Sequence, residues 1–475
     1  MKKIFIISAI CMTATLFAVS CQKNLPAVTK DAQTGTQTFS CIAPEECESA
    51  VRAELGGTGN KQVFWNNGDQ ISFFVNTDNS TGAVYSTALV SPSLQADFTG
   101  TGAEQCSVFS NKYVAFYPAS QVYSWGTAAE AKRRLRFFIP SEQIAVTNSF
   151  PQNCCPMIAS TDDPAHPLTF SHIAGYFKFT IDKDSPSITR VYLTAGDNNW
   201  FSGRFTLELS DLTTIGSSSI NRYVIFRNSD DSPLAVGDYY IAVRPRTWTG
   251  GFNFIFTDDE GSKAKVSYTA DDKTIAKGHV LPVGTVRNLT FKKIGDIYQE
   301  SSVNKGIVVG FSGEDSYYVM SLAGVNKTWS TMPDLSSTLT TAFDSSDGAG
   351  NTALIKAAVE ASDSDSITED TFPAAYQCIN MGEGWYLPGS VEFCNILNAL
   401  EFTDEDKYSA FSTKITDADG NALPTGTNYS RFWTSMYKNN NMHITYKKGD
   451  GSAIYYMNKT YSQSQQVRCL KKVSL

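Results

Sequence analysis

The chain has 475 residues, of which 42% are hydrophobic and 18% are charged, and its formal net charge is −8 at pH 7. This length predicts two to four domains, and the composition is that of a folded protein rather than a disordered one. The acidic balance argues against a nucleic-acid-binding protein, which needs a basic surface. The 22 tyrosines and 29 phenylalanines, separated by polar turn residues, favour an exported protein with many short β-strands.

The first 20 residues carry the pattern of an export signal. A basic start, "MKK", precedes the apolar run "IFIISAICMTATLFAV" and the small residues that lead to Cys21. We assign residues 1–20 to a lipoprotein signal peptide, because "AVSC" resembles a lipobox, in which cleavage occurs before an acylated cysteine. The alternative is an ordinary signal peptide followed by an incidental cysteine. Lipid on Cys21 would attach the exported protein to the outer membrane at the cell surface.

The segment "CESAVRAELGG" places a lone arginine, Arg52, between two strand-like stretches. A loop with two glycines after the Arg52–Ala53 bond is accessible to a trypsin-like protease. The alternative is a solvated loop arginine without a role in processing.

Two consecutive parts of the chain have the period-two pattern of short β-strands. Residues 53–182 contain "VFWNNGDQISFFV", "KYVAFYPAS", "LRFFIP" and "GYFKFTID", and residues 183–294 contain "ITRVYLTAG", "DYYIAVRP" and "FNFIFTD". Turn residues separate these runs, as in antiparallel sandwiches. We therefore predict two tandem β-sandwich domains, with a joint near residue 182 and a linker at "KKIGDIYQESS".

Residues 303–475 have a different pattern and predict an α+β domain. Residues 350–363 and 388–402 carry apolar side chains at helical spacing, and Ser390 is the expected N-cap of the second helix. Strand-like runs such as "KGIVVGF", "SRFWTSMY" and "QVRCLKK" flank them.

Neither the histidines nor the cysteines indicate a catalytic, metal or cofactor site. The four histidines are far apart, and no HExxH or paired-ligand motif occurs. Eight cysteines remain after Cys11 and Cys21 are set aside, and their spacing alone does not give a pairing: Cys41, Cys47, Cys106, Cys154, Cys155, Cys378, Cys394 and Cys469.

The first two domains resemble the fimbrillin family, the pilins of type V fimbriae of certain Gram-negative bacteria. The matching stretches, in order, are "WNNGDQISFF", "ADFTG", "YVAFYPAS", "FIPSEQ", "PLTFSHIAGYFKFTI", "GDYYIAVRP" and "HVLPVGTVRNLTF". The resemblance implies two transthyretin-like sandwiches in a lipoprotein. It also implies that residues 21–52 are a propeptide holding a removable first strand, which an arginine-specific, trypsin-like protease cuts off at Arg52–Ala53. Another fimbrial subunit then donates a strand to the empty groove.

The third domain resembles the C-type-lectin-like module of exported bacterial proteins. Its markers are "GIVVGF", "DGAGNT", "AAYQC", "WYLPGSVEF", "FWTSMY" and "VRCLKK". The resemblance implies a disulfide between Cys378 and Cys469, against the alternative of two reduced, packed thiols. The EPN, QPD and WND triplets of calcium-dependent sugar sites are missing, and we interpret Trp385 and Trp433 as core residues. Asp344, Asp347, Asp363 and Asp365 are interpreted as solvated loop charges.

Two functions remain in competition. One is a fimbrial tip or accessory adhesin that accepts a donor strand and displays a lectin-like domain to a glycan or protein ligand. Its C-terminal run "QVRCLKKVSL" is then needed by its own third domain and is not donated. The alternative is a monomeric, lipid-anchored surface binding protein that does not assemble, in which Arg52 stays uncut. An enzyme is not expected, because no GxSxG, P-loop or dinucleotide motif is found.

Overall fold

A computed structural model describes most of the chain from residue 36 onward. The described residues are 36–44, 63–74, 82–106, 112–123, 134–151, 153–196, 199–208, 214–269, 273–362, 367–425, 429–438, 441–448 and 454–475. Within them the fold is mainly β, as the sequence predicts, and the α-helices lie in the C-terminal third.

Most strands in the first part of the chain join in one large sheet. Its strands are β1 (Gln37–Ile42), β2 (Gln70–Phe73), β3 (Ala83–Thr87), β4 (Gln95–Gly100), β5 (Gln105–Cys106), β6 (Lys112–Tyr117), β7 (Val122–Tyr123), β8 (Arg134–Ile139), β9 (Glu142–Ile144), β10 (Met157–Thr161), β11 (Leu168–Thr169) and β12 (Ser171–His172). Nine of them join in the order β11-β1-β4-β3-β2-β6-β10-β12, with β5 on β6. Because Phe170 alone separates β11 from β12, the two ends of this sheet meet.

The second part contributes smaller sheets around a second core. Its strands are β13 (Gly175–Ile181), β14 (Ile188–Ala195), β15 (Ser202–Glu208), β16 (Thr214–Asn221), β17 (Tyr223–Arg227), β18 (Gly237–Val243), β19 (Arg246–Trp248), β20 (Phe252–Asp258), β21 (Lys263–Tyr268), β22 (Lys273–Ile275) and β23 (Val280–Thr285). The sheet orders are β18-β13-β23, β21-β20-β14-β17-β9, β16-β15-β8-β7 and β19-β22.

The pairing crosses the joint expected near residue 182. Strand β8 pairs with β15, and β9 pairs in parallel with β17, although both come before that joint in the chain. Strand β13 also precedes it and pairs with β18 and β23. One core cluster accordingly runs from Phe39 through Phe205 to Tyr240, so the first two parts pack as neighbours with shared strands.

The third part combines two sheets with the four α-helices of the described residues. The strands are β24 (Ile297–Glu300), β25 (Val303–Ser312), β26 (Ser316–Ser321), β27 (Val325–Thr328), β28 (Trp385–Tyr386), β29 (Tyr429–Lys438), β30 (Asn441–Lys448), β31 (Ile454–Lys459), β32 (Ser464–Val467) and β33 (Leu470–Ser474), and the helices are α1 (Gly348–Glu360), α2 (Pro373–Ile379), α3 (Ser390–Ala399) and α4 (Glu405–Asp417). The sheet orders are β24-β25-β26-β33-β28 and β27-β32-β29-β30-β31. Strand β24 lies in the segment interpreted as a linker.

The predicted N-cap of α3 is wrong by one residue. Gly389 is the N-cap, and the carboxylate of Glu392 accepts a hydrogen bond from its N–H at 3.0 Å. The carbonyl of Ser345 accepts from the N–H groups of Val391 and Glu392. Since these donors are already satisfied, Ser390 is not needed as a cap, and it lies buried as the first helical residue.

A charged contact joins the second and third parts. Lys263 on β21 donates to the Gly313 carbonyl at 2.9 Å and to Glu314 at 2.7 Å, and Arg190 on β14 pairs with the same carboxylate at 2.7 Å. The Lys263 ammonium also lies 5.3 Å from the ring centroid of Phe311. The turn between β25 and β26 is therefore fixed against the second part.

Candidate functional site

Strand β1 fills a groove in the first sheet. Its backbone pairs antiparallel with β4 along its whole length and parallel with β11 at its end. The side chains of Phe39 and Cys41 are fully buried, whereas Thr38 is exposed and Ser40 is half-buried. We call the edges of β4 and β11, together with the side chains of Trp65, Phe73, Tyr85 and Tyr113 beneath the strand, the β1 groove.

An aromatic pocket holds Phe39. Its ring centroid lies 4.3 Å from that of Phe73, 5.3 Å from Tyr113 and 5.7 Å from Tyr85. Tilted and edge-to-face contacts of this kind add to the free energy gained by burying the ring. The Tyr85 hydroxyl also donates to the side-chain oxygen of Gln37, so the pocket contacts two positions of β1.

Trp65 supports the other end of the strand. Its indole N–H donates to the Cys41 carbonyl at 3.2 Å, and its ring is enclosed by three aromatic rings at 5.1 to 5.3 Å: Phe98, Phe170 and Tyr117. Trp65 itself is completely buried. The tryptophan of "WNNGDQISFF" thus serves as a main-chain hydrogen-bond donor inside the groove.

A turn stabilised by Asp69 places Trp65. The Asp69 carboxylate accepts from the N–H of Asn66 at 2.8 Å and from the Tyr117 hydroxyl at 3.1 Å. Gly68 adopts a φ of 81°, a conformation that favours glycine. Burial is the main cause that raises the pKa of Asp69. The Asn-Gly-Asp sequence therefore forms the turn that directs Trp65 under β1.

No disulfide holds β1 among the described residues. Cys41 is a free, buried cysteine, and burial raises the pKa of its thiol. The strand is held by its ladders, by Gln95 donating to the Ser40 hydroxyl at 2.6 Å, and by apolar contacts. The ladders and the apolar contacts depend on the backbone and the alternation of the strand rather than on a disulfide.

The processing and lipidation residues lie outside the described residues. These are Cys21, Arg52 and Ala53. By chain order, Arg52–Ala53 lies between β1 and Trp65. A cut at this bond would separate β1 from the rest of the first part.

The third part contains the disulfide that the lectin-like resemblance implies. Cys378 at the end of α2 and Cys469 next to β33 are bonded, with their Cα atoms 5.3 Å apart. Trp385 and Trp433 are buried, as predicted, and the indole of Trp433 donates to the Lys327 carbonyl at 2.8 Å. Neither ring is available as a sugar-binding platform.

Sequence reasoning missed Arg468, a completely buried arginine. Its guanidinium donates to four main-chain carbonyls, those of Ser321, Leu322, Asn421 and Ala422. Burial lowers the pKa of Arg468 to about 10. The side chain therefore ties the end of β26 and the loop after α4 to the start of β33.

Two of the four aspartates that the sequence analysis interprets as loop charges are among the described residues, and both accept main-chain hydrogen bonds. Asp347 caps α1 by accepting from the Gly350 N–H at 2.7 Å, and Asp344 accepts from the Ser346 N–H at 2.7 Å. Asp363 and Asp365 lie outside the described residues. Within the described part of the chain, no three His, Cys, Asp or Glu side chains are grouped to bind a metal ion.

A cleft of about 460 Å³ lies between α1 and β28. Its lining includes Thr352 and Lys356 of α1, Ile379 of α2, and Glu383. Beside it, the Tyr386 hydroxyl donates to the Glu392 carboxylate at 2.8 Å, and burial raises the pKa of Glu392. The Glu392 carboxylate accepts from the Gly389 N–H at the start of α3, and the charged side chains that line the cleft are those of Lys356 and Glu383.

Among the described helices, none has the length and apolar character needed to cross a bilayer.

Comparison with known proteins gives similarities in structure alone. No family model matches the sequence, and no curated protein matches it. A fimbrial protein from Bacteroides ovatus is 12% identical, with 90% of this chain and 99% of that chain covered and a TM-score of 0.26. The tip fimbrial protein Mfa3 from Porphyromonas gingivalis, with a C-terminal truncation, is 10% identical, with 54% and 99% covered and a TM-score of 0.23.

A further structure from Bacteroides ovatus, described as a candidate cell adhesion protein, is 11% identical, with 56% of this chain and 100% of that chain covered and a TM-score of 0.33. These three structures are named for fimbriae or cell adhesion. At these TM-scores and identities the similarity carries no argument for this chain.

Proposed function

We propose that this protein is a fimbrial tip or accessory subunit, an adhesin of the cell surface. It is exported as a lipoprotein acylated at Cys21, is cut at Arg52–Ala53, and then accepts a strand from the next subunit in place of β1. The third, lectin-like part is displayed to a glycan or protein ligand.

The observation that carries the proposal is the placement of β1. The strand lies between β4 and β11, and Phe39 fills an aromatic pocket beneath it. Loss of β1 leaves unpaired main-chain groups on both neighbours and exposes that pocket. A donated strand with a large apolar residue at the Phe39 position satisfies both requirements.

The position of Arg52 supports the same reading. A cut after Arg52 separates β1, and the lipid-bearing end of the chain, from the folded body that begins near Trp65. The subunit is then released from its own anchor and held by the strand it accepts.

The position of β33 supports an acceptor that does not donate this strand. It pairs with β26 on one side and β28 on the other, and Cys469 beside it is disulfide-bonded. Removing β33 would open the sheet of the third part. For this reason we propose a terminal position in a fimbria rather than a place in its shaft.

The test is mass spectrometry of the intact protein during digestion with an arginine-specific protease. We expect one early cut after Arg52, with residues 53–475 remaining folded once a strand is supplied. The first strand to add is a synthetic peptide of residues 36–44, followed by the C-terminal strand of a co-expressed pilin. The matched controls are the chain with Arg52→Ala, which stays uncut, and the peptide with Phe39→Ala, which is captured poorly.

Two outcomes would overturn assembly. One is resistance at Arg52 in the native protein, and the other is a cut that unfolds the first part without capture of any strand. In either case the monomeric, lipid-anchored surface binding protein becomes the better reading.

A further inference from the structure

Two neighbouring arginines in the second part rest on aromatic rings. Arg244 and Arg246 lie where β18 ends and β19 begins, separated by Pro245. The Arg244 guanidinium carbon lies 6.0 Å from the ring centroid of Trp200 and 5.5 Å from that of Phe205. The guanidinium carbon of Arg246 lies 5.1 Å from the ring centroid of Trp248.

Neither arginine pairs with an acid among the described residues. The Arg246 Nε donates to the carbonyl of Thr247 at 3.2 Å, and the Nε of Arg244 is buried with no acceptor in the described part of the chain. Other arginines of this part do have carboxylate partners, namely Arg190 with Glu314, Arg227 with Glu142 and Asp231, and Arg287 with Asp182 and Asp184. Buried N–H groups are nearly always hydrogen-bonded, and the Nε of Arg244, like that of Arg190, is a donor without an acceptor among the described residues; unlike Arg190, Arg244 also has no carboxylate partner there.

The electrostatics of the pair favour an anion. Partial burial, followed by the charge of Arg246, lowers the pKa of Arg244. Two neighbouring positive charges repel each other, and since no acid of the described residues pairs with them, a bound anion would reduce that repulsion. This pair belongs to a chain with a net charge of −8, so the surrounding protein does not attract anions in general.

We propose that Arg244 and Arg246, together with the indole of Trp200, form a binding site for the carboxylate of an acidic sugar. A carboxylate is planar and accepts two parallel hydrogen bonds from a guanidinium. The half-buried Trp200 beside Arg244 adds an apolar surface, which a pyranose ring can cover and a small free anion cannot. This site lies in the second part and is separate from the β1 groove, so it stands whether or not β1 is exchanged.

The test is isothermal titration calorimetry of the full chain with glucuronate, with acetate and glucose as comparison ligands. We expect glucuronate to bind, acetate to bind more weakly, and glucose not to bind. Arg244→Gln and Arg246→Gln should each weaken glucuronate binding by about tenfold or more, since each removes charge-assisted hydrogen bonds. Arg244→Lys, which keeps the charge but loses the planar fork, should fall between the wild type and Arg244→Gln.

The control for net charge is Lys183→Gln, because Lys183 lies in the same part and its side chain is 83% exposed. Its binding should equal that of the wild type. Arg246→Gln keeps the test valid if Arg244→Gln disturbs the packing on Phe205. Equal binding of glucose and glucuronate, unchanged binding in Arg246→Gln, or binding of none of the ligands would overturn the site. Equal binding of acetate and glucuronate would overturn the assignment to a sugar.

Discussion

Strands β1 and β33 have the same kind of place in two different sheets. Each lies between two neighbours, β1 between β4 and β11, and β33 between β26 and β28. The two strands differ in how they are held. Hydrogen bonds and apolar side chains hold β1, whereas the residues before β33 add a disulfide at Cys469 and the buried guanidinium of Arg468.

Under the proposed function, that difference predicts that β1 can be exchanged for a donated strand and that β33 cannot. Ladder hydrogen bonds and a filled pocket are properties that any strand of suitable alternation can supply. A covalent bond and a four-carbonyl arginine contact depend on these particular residues. We therefore expect the disulfide and the Arg468 contacts, rather than position in the sheet, to distinguish the two strands.

The largest expected effect is loss of the disulfide. Cys378 and Cys469 are 91 residues apart, and a loop of that length corresponds to about 4–5 kcal/mol in the chain-entropy account. In the double variant Cys378→Ala/Cys469→Ala, we expect faster hydrogen exchange in β33 and β28 but unchanged exchange in β1. Unchanged exchange of β33 would mean that the disulfide is not what distinguishes the two strands.

Phe39→Ala should destabilise the uncut chain by about 3–4 kcal/mol, because it empties a fully buried aromatic pocket. Thr38→Ala, at the adjacent exposed position of β1, is the control and should change little. After a cut at Arg52 and removal of β1, the variants and the wild type are the same chain of residues 53–475, so urea unfolding is compared on the uncut proteins. Equal stability of Phe39→Ala and the wild type there would contradict a stabilising role for the Phe39 pocket.

Local patterns in the sequence predicted much of this fold. Alternation predicted strands such as Gln70–Phe73, and helical spacing predicted α1 and α3 with ends within a few residues. Helix α4 was missed because only Tyr408, Phe411 and Ile415 are buried in an otherwise polar segment. A usable signal was present, since Asp404 caps that helix by accepting from the N–H groups two and three residues later.

Long-range features were not predictable in the same way. The pairing of β9 with β17 depends on register between distant segments, which no local pattern records. Arg468 and Arg244 were missed because an arginine is expected to be exposed, and the carbonyls or rings that receive it have no sequence signature. The β1 groove was predicted through a family resemblance, whereas its use of Trp65 as a hydrogen-bond donor was not.

Arg468→Met should destabilise the third part by about 3 kcal/mol, because it leaves buried carbonyls without donors while keeping much of the side-chain volume. Hydrogen exchange of β26 and β33 should rise together, since Arg468 connects them. Lys472→Met, at an exposed position of β33, is the matched control and should have little effect. If both variants behave like the wild type, the disulfide alone fixes β33.

Acid should weaken the first sheet at β12. Burial lowers the pKa of His172 on β12 from 6.5 to about 4, so between these values the unfolded chain binds a proton that the folded chain does not. Its contribution to stability is complete above pH 6.5 and is lost as the pH falls to about 4, by about 3 kcal/mol. Burial raises the pKa of Asp69, so the titration of Asp69 changes the stability in the opposite direction. The quantity to compare is therefore the loss of stability with falling pH in the wild type and in His172→Asn. In urea unfolding followed from neutral pH down to about 4, the wild type should lose more stability than the variant. Equal losses would show that His172 does not titrate in this way.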